Sequence, residues 1–310
     1  MAKYLVTGGA GFIGSNLVER LLEQGHHVRV LDNFSTGRHE NLHAYLNAIE
    51  VIEGSITSET DCSEAVAGVD FVLHEGALPS VPRSVVDPVA SHTANATGTL
   101  NMLVASRDAE VKRFVYASSS SVYGDTPTLP KTEDMPTQPL SPYAIGKLAG
   151  EQYCAAFYRL YGLPTIALRY FNVFGPRQHP DSPYAAVIPR FIRAILEEHA
   201  PVIYGDGNQS RDFTFVDNVV QANLLACEAS EEAFGQAFNC ACGEQMTLNE
   251  LVKTIGTALG RDVAPIHEAA RKGDVQHSRG SIEKARRILG YHPEIGVHEG
   301  LRRTAHAMMA

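Results

Sequence analysis

The stretch from Tyr4 to Asp32 constrains this chain most. Tyr4-Leu5-Val6 is a short run of strand type, and Gly8-Gly9-Ala10-Gly11-Phe12-Ile13-Gly14 follows it. A helical pattern then runs through Leu17, Val18, Leu21 and Leu22, and Gly25 stops it. His27-Val28-Arg29-Val30-Leu31-Asp32 is a second strand, ending in an acid. Strand, glycine turn, helix, strand and acid in this order predict the first unit of a doubly wound α/β sheet. Glycines let the backbone turn tightly and approach a pyrophosphate seated on the helix N-terminus. Asp32, 18 residues past Gly14, is placed to accept from a ribose 2′-hydroxyl, which favours NAD over NADP. Arg38, which argues the other way, lies six residues further on.

Ser141-Pro142-Tyr143-Ala144-Ile145-Gly146-Lys147 reads as a helix start, with Ser141 at the N-cap and Pro142 in the first turn. Residues four apart share a helix face, so the Tyr143 phenol and the Lys147 ammonium can point into one cleft. A free tyrosine has a pKa of about 10, and bringing it to about 7 takes roughly 4 kcal/mol. A fixed cation favours the phenolate. A second positive charge is needed beside Lys147, and an oxidised nicotinamide would supply it. By itself the pattern also describes two plain surface residues.

The 310 residues suffice for one large or two modest domains. A net charge of -9 argues against nucleic acid or an anionic membrane as the main partner. No apolar run reaches transmembrane length, and Lys3-Tyr4-Leu5-Val6-Thr7 leaves no signal-peptide pattern, so a cytoplasmic protein is expected. Five scattered cysteines (Cys62, Cys154, Cys227, Cys240, Cys242) read as reduced buried thiols, and no metal site is expected.

Further strands are predicted at Val51–Gly54, Val69–His74, Arg113–Ala117 and from Pro164 onward. Glu75-Gly76-Ala77-Leu78 follows the strand that ends at His74, which reads as a packed or cofactor-adjacent histidine. Ser91 to Arg107 reads as one long helix carrying Asn95. Four serines, Ser118 to Ser121, stand at the C-terminal end of a strand, where open α/β sheets place their sites. The expected fold is a doubly wound parallel, Rossmann-type sheet over residues 1–177 with a smaller C-terminal substrate-binding lobe over 178–310. The strand at Phe238-Asn239 could return to the main sheet. There is no internal repeat, low-complexity segment or linker.

Gly8, Gly11 and Gly14, with Tyr143 and Lys147 downstream, resemble the extended short-chain dehydrogenase/reductase superfamily, over essentially the whole chain. Ser118-Ser119-Ser120-Ser121-Val122-Tyr123-Gly124 resembles the Ser/Thr element of its nucleotide-sugar epimerases, the UDP-glucose and UDP-N-acetylglucosamine 4-epimerases. Arg169-Tyr170-Phe171-Asn172-Val173-Phe174-Gly175-Pro176 resembles another element of that family. The resemblance implies a catalytic set of Tyr143, Lys147 and Ser119, with Ser120 as the near alternative. It implies NAD contacts at Gly8, Gly11, Phe12, Ile13, Gly14, Asp32, Asn33, Ser35, Thr36, Gly37, Ser55, Ile56, Ala77, Asn95, Tyr143, Lys147 and Tyr170. Substrate contacts are implied at Ser119, Tyr143, Asn172, Val187, Tyr204, Arg211, Arg271, Asp274 and Ser278. Arg211 and Arg271 suit a diphosphate, because a planar guanidinium binds oxygen pairs. A homodimer through the helices around 91–107 and 143–161 is implied as well.

Three departures matter. Ser55 stands where the family commonly has an adenine-contacting Asp. Ser281 replaces another acid and reads as a change of helix cap. Ser278 stands where a bulky Tyr limits the pocket to glucose and galactose, and a small residue implies room for N-acetylhexosamines. The serine loop also lacks the Asp or Glu of the family's dehydratases and decarboxylases. Elimination needs an added acid or base, so the loop supports only oxidation and re-reduction. The expectation is NAD-dependent 4-epimerisation of a UDP-hexose through a 4-keto sugar. A UDP-uronic acid 4-epimerase, a dehydrogenase that accumulates NADH, and a non-catalytic NAD-binding sensor or scaffold stay open as alternatives.

Overall fold

The structure, a computed structural model, describes residues 1–180, 185–270 and 276–309. Arg271 and Asp274 lie outside the described residues. The elements run β1 (Lys3–Thr7), α1 (Phe12–Glu23), β2 (His27–Asp32), β3 (Ile49–Glu53), α2 (Glu59–Val66), β4 (Phe71–His74), α3 (Val81–Val86), α4 (Pro88–His92), α5 (Gly98–Asp108), β5 (Arg113–Ser119), α6 (Pro142–Tyr161) and β6 (Thr165–Tyr170). They continue with β7 (Val173–Phe174), α7 (Val187–Leu196), β8 (Val202–Tyr204), β9 (Ser210–Arg211), β10 (Thr214–Phe215), α8 (Val216–Glu228), β11 (Gln236–Cys240), β12 (Met246–Thr247), α9 (Leu248–Ala258), β13 (Ile266–Glu268), α10 (Glu283–Leu289) and α11 (Val297–Met309).

Seven strands form one sheet in the order β3-β2-β1-β4-β5-β6-β11, every pair parallel. A parallel sheet covered on both faces needs apolar residues on both. The strands supply them in alternation. Val6, Val30, Val115 and Ile166 face a core with Leu17, Val18 and Leu21 of α1 and Val219 of α8. Leu5, Leu31, Val72 and Phe114 face the opposite core, with Ala65 of α2, Leu103 of α5 and Phe157 of α6. Each such buried side chain contributes about 2 kcal/mol. A third cluster, with Phe174, Phe191, Ile192, Ile203, Phe213, Leu251 and Leu301, fills the C-terminal region. That region is not separate from the sheet, because β11 extends it beside β6.

The strand order reverses between β1 and β4. Such a reversal opens a crevice beyond the strands' C-terminal ends. The helical stretch expected from Ser91 begins earlier, at Val81, as two short helices. Ser80 Oγ accepts from Arg83 N (3.2 Å) and Asp87 Oδ1 accepts from Ala90 N (3.0 Å), so each has its own cap. The turn Thr93–Thr97 between α4 and α5 is a π-helix. Such one-turn widenings often mark functional sites, and this one carries Asn95. Ser281 Oγ accepts Glu283 N at 3.4 Å, just ahead of α10. No helix among the described residues is long and apolar enough to cross a membrane.

Candidate active site

The glycine turn is shaped by contacts that no side chain could share. Gly8 has φ +66°, and Gly11 N donates to Gly8 O at 3.0 Å. A Cβ on Gly14 would lie 2.2 Å from Gly8 O. Gly11 caps α1 with extended backbone and without a side chain, which leaves the first-turn N–H groups open to an anion. At the end of β2, Asp32 accepts Ala10 N (2.9 Å) and Phe34 N (2.8 Å). Burial pushes its pKa up and the two N–H groups pull it back. Gly37 packs against this carboxylate so closely that a Cβ there would lie 2.9 Å from both oxygens.

These residues line one cleft of about 750 Å³. Gly8, Gly11, Phe12, Ile13, Gly14, Asp32, Asn33, Ser35, Thr36, Gly37, Ser55, Ile56 and Ala77 all belong to its wall. The cleft, the cradle free of Cβ atoms and the acid at its edge fit a dinucleotide such as NAD. Asn95 stands behind the wall. Its Oδ1 accepts Leu78 N (2.9 Å) and its Nδ2 donates to Leu78 O (3.1 Å), fixing the loop after β4. His74 is packed rather than poised. Its ring meets Thr7 Oγ1 (2.8 Å) and Thr99 Oγ1 (3.1 Å), and burial pushes its pKa down to about 3.

Tyr143 and Lys147 lie one turn apart in α6. Ser141 Oγ accepts Ala144 N at 3.2 Å to cap that helix, and Pro142 follows in its first turn. Lys147 is 4% exposed and donates to Ala117 O at 2.8 Å. Its Nζ lies 5.9 Å from the Tyr143 ring centre. Ser119, at the end of β5, is close enough to the Tyr143 phenol to lower its pKa, whereas Ser120 opens the short turn Ser120–Tyr123. Ser119 Oγ also accepts from Ser121 N (3.2 Å) and Ser121 Oγ (2.9 Å), which fix its position. Burial pushes the Tyr143 pKa above the ordinary phenol value, the Ser119 hydroxyl lowers it, and Glu75 raises it. Burial and Glu75 thus favour the neutral phenol at Tyr143.

Two carboxyl groups beside this site, the half-buried Glu75 and the buried Glu151, carry no motif in the sequence. Glu75 lines the cleft, and Tyr170 donates to its Oε1 at 2.6 Å. Asn223 donates to the Tyr170 oxygen at 2.8 Å. Tyr170, a residue the resemblance assigns to NAD, is thus tied to the cleft wall through Glu75. Glu151 lies one turn beyond Lys147 on the same face of α6. Arg169 binds it with two N–H groups (2.9 and 2.8 Å), and Ser118 donates to it as well. Arg169 also donates to the Tyr123 oxygen (2.9 Å), and Tyr123 donates to Asn239 Oδ1 (2.7 Å). This chain fixes the residues on either side of the serine loop.

Asn172, Arg211 and Ser278 meet around Asp212. Asn172 has φ +32° and donates to Asp212 O at 2.9 Å. Arg211 donates to Ser210 O (3.0 Å) and Gln276 O (3.2 Å), and Ser278 N donates to Ser210 O (3.1 Å). The Asp212 carboxylate accepts three N–H groups, from Cys242 (2.9 Å), Gly243 (3.1 Å) and Gly280 (3.1 Å). Burial pushes its pKa up to about 7 against those bonds. Val187 starts α7 and Tyr204 ends β8.

Residues 4–241 match the model of the NAD dependent epimerase/dehydratase family. The chain belongs to this family. It is 41% identical over 305 residues to the UDP-glucose 4-epimerase of Mycolicibacterium smegmatis, covering 97% of this chain and 96% of that one. It is similar to the UDP-N-acetylglucosamine 4-epimerase of Methanobrevibacter ruminantium, solved with UDP-N-acetylmuramic acid. There the identity is 39%, the TM-score 0.94, and the coverage 99% of this chain and 98% of that chain. It is also similar to the UDP-glucuronic acid 4-epimerase of Bacillus cereus, solved with UDP-glucuronic acid and NAD. There the identity is 32%, the TM-score 0.91, and the coverage 99% of both chains. NAD is the cofactor of the epimerase/dehydratase family, and the cleft of this member has the shape to hold it.

Proposed function

We propose that this chain is a UDP-sugar 4-epimerase with retained NAD, acting on UDP-glucose/UDP-galactose and on UDP-GlcNAc/UDP-GalNAc. The observation that carries this reading is the Ser119–Tyr143 hydroxyl pair, with Lys147 buried behind it and no carboxyl group in the loop 118–121. Tyr143 takes the proton of the sugar's 4-hydroxyl, and Ser119 holds the same oxygen by a hydrogen bond. Lys147 stabilises the phenolate. When bound, NAD supplies a reversible acceptor for the electron pair and hydrogen leaving C4, together with the positive charge that Tyr143 lacks. The 4-keto sugar then turns about its diphosphate link and presents its other face. Tyr143 returns the proton to the C4 oxygen, with C4 inverted. Asn172, Val187, Tyr204, Arg211, Arg271 and Asp274 hold the nucleotide half, so the diphosphate stays anchored while the sugar turns. In this reading residues 1–177 carry cofactor and catalysis. Residues 178–310 carry mainly the nucleotide sugar, with β11 and α8 serving the sheet.

Ser278 is half-buried beside Ser210 and small, which supports a pocket with room for an N-acetyl group. The variant Ser278→Tyr is expected to lose UDP-GlcNAc conversion by about 10- to 200-fold in kcat/KM, because pocket size discriminates on that scale. UDP-glucose conversion should be little changed. Equal loss on both sugars would remove the pocket assignment. A UDP-uronic acid substrate is supported by the likeness to the Bacillus cereus enzyme, and activity on that sugar alone would decide for it.

The reading includes a homodimer. Ile145 (54% exposed), Tyr153 (38%) and Leu160 (72%), eight and seven residues apart along α6, leave an apolar face uncovered. Apolar surface of this kind marks an interface. Sedimentation should give twice the 33.6 kDa chain mass, and Tyr153→Glu with Leu160→Glu should return the monomer. A monomeric parent protein would contradict this part.

A further inference from the structure

The cleft wall holds a carboxyl group, Glu75, for which the proposed reaction has no step. Glu75 follows β4, and its Oε1 is fixed by the Tyr170 hydroxyl at 2.6 Å, itself fixed by Asn223 of α8 at 2.8 Å. The carboxyl group lines the cleft and is pinned from the side of β6. Glu75 follows His74, which pairs with Tyr116 in the sheet, so it stands at the strand end beside Ala117, whose carbonyl Lys147 binds, and Tyr170, which holds it, pairs with Ser119. Lys147 gives its one hydrogen bond to Ala117 O (2.8 Å) and has no ion pair within 4.0 Å among the described residues. We propose that Glu75 is a positioning residue: its carboxylate, on the cleft wall, is the counter-charge that sets the protonation of the Tyr143–Lys147 pair. This rests on the epimerase reading for its consequence in turnover, but not for its electrostatics.

The groups that interact with Glu75 have distinct roles. From α6, Lys147 is the cation that the carboxylate supports, and Tyr143 is the acid whose ionisation it opposes. From β6, Tyr170 donates to the carboxylate and is held neutral by its burial. From β11, burial keeps Cys240 a thiol. From β4, His74 is neutral, held down to about 3 by its burial. Lys147 is then the nearby cation that titrates with Glu75. Burial pushes the Lys147 pKa down and Glu75 pushes it back. Burial pushes the Glu75 pKa up, with Tyr170 and Lys147 opposing. The signs follow. With the carboxylate present, the ammonium persists to higher pH and the phenol also ionises at higher pH. Without it, both protons leave at lower pH.

A glutamate needed only to hold Tyr170 could be replaced by glutamine, which keeps the acceptor oxygen and loses the charge. Glu75→Gln therefore separates charge from shape. Tyr143 ionisation is read, without substrate, as the ultraviolet phenolate difference between each protein and its Tyr143→Phe counterpart. The Tyr143 midpoint is expected to fall by about one pH unit in Glu75→Gln, the scale of a nearby charge. It should stay with the parent in Glu75→Asp. Both limbs of the pH profile of kcat should move to lower pH by a similar amount. Should Glu75→Gln not fold, Glu75→Ala makes the same charge change. An unmoved midpoint in a folded charge-removing variant overturns the proposal. A moved midpoint in a protein that converts no UDP-sugar overturns the epimerase reading and leaves the role of Glu75 standing.

Discussion

Tyr143→Phe is expected to lower kcat by about 10²–10⁴-fold, the usual worth of a positioned acid–base group, with NAD still bound. The phenol hydroxyl is the only atom removed. The ring stays beside Lys147, whose Nζ sits 5.9 Å from its centre, and the glycine turn that cradles the dinucleotide is untouched. KM for the UDP-sugar should change little, since the nucleotide half is held elsewhere. The check is a rate comparison by separation of the 4-epimers, with NAD content read after denaturing the protein. Undiminished turnover in this variant would remove Tyr143 from the reaction. Loss of NAD together with activity would make its role structural.

Arg169→Met is expected to destabilise the fold by about 3–5 kcal/mol, the cost of leaving a buried charge without its partner. Arg169 and Glu151 are 6% and 4% exposed at the side chain. The substitution leaves the Glu151 carboxylate in the core and removes the donor from Tyr123. Adding Glu151→Leu should recover part of the loss, because the second change removes the stranded charge. Denaturant midpoints of the two variants decide this. A loss below about 1 kcal/mol in Arg169→Met is what a solvated pair would give, and would mean that water reaches Glu151.

The two features most legible in the sequence are those fixed by local backbone chemistry. The glycine turn could be read because a Cβ at Gly14 has no room. The α6 start could be read because Ser141 and Pro142 suit a cap and a first turn. Strands such as Phe114–Ala117 could be read from their apolar content, since both faces of the sheet are buried. Ser80 and Asp87, each within two residues of a proline, mark the starts of the two short helices Val81–Val86 and Pro88–His92. The π turn at Thr93–Thr97 left no trace in the apolar spacing.

Contacts made across long sequence distances were not legible. Glu75 looks like an exposed acid after a strand until Tyr170, 95 residues later, is placed against it. Asp212 looks like a loop acid until Cys242, Gly243 and Gly280 bring their N–H groups to it. Glu151 was within reach, because it continues the spacing of Tyr143 and Lys147 along the buried face of α6.

The most direct measurement is to incubate the purified protein, with no cofactor added, with UDP-GlcNAc and separately with UDP-glucose, and to separate the 4-epimers. Conversion of both to mixtures of the two C4 epimers is the predicted result, as retained NAD and a roomy pocket at Ser278 require. Conversion of neither, even after NAD is supplied, would contradict the epimerase account.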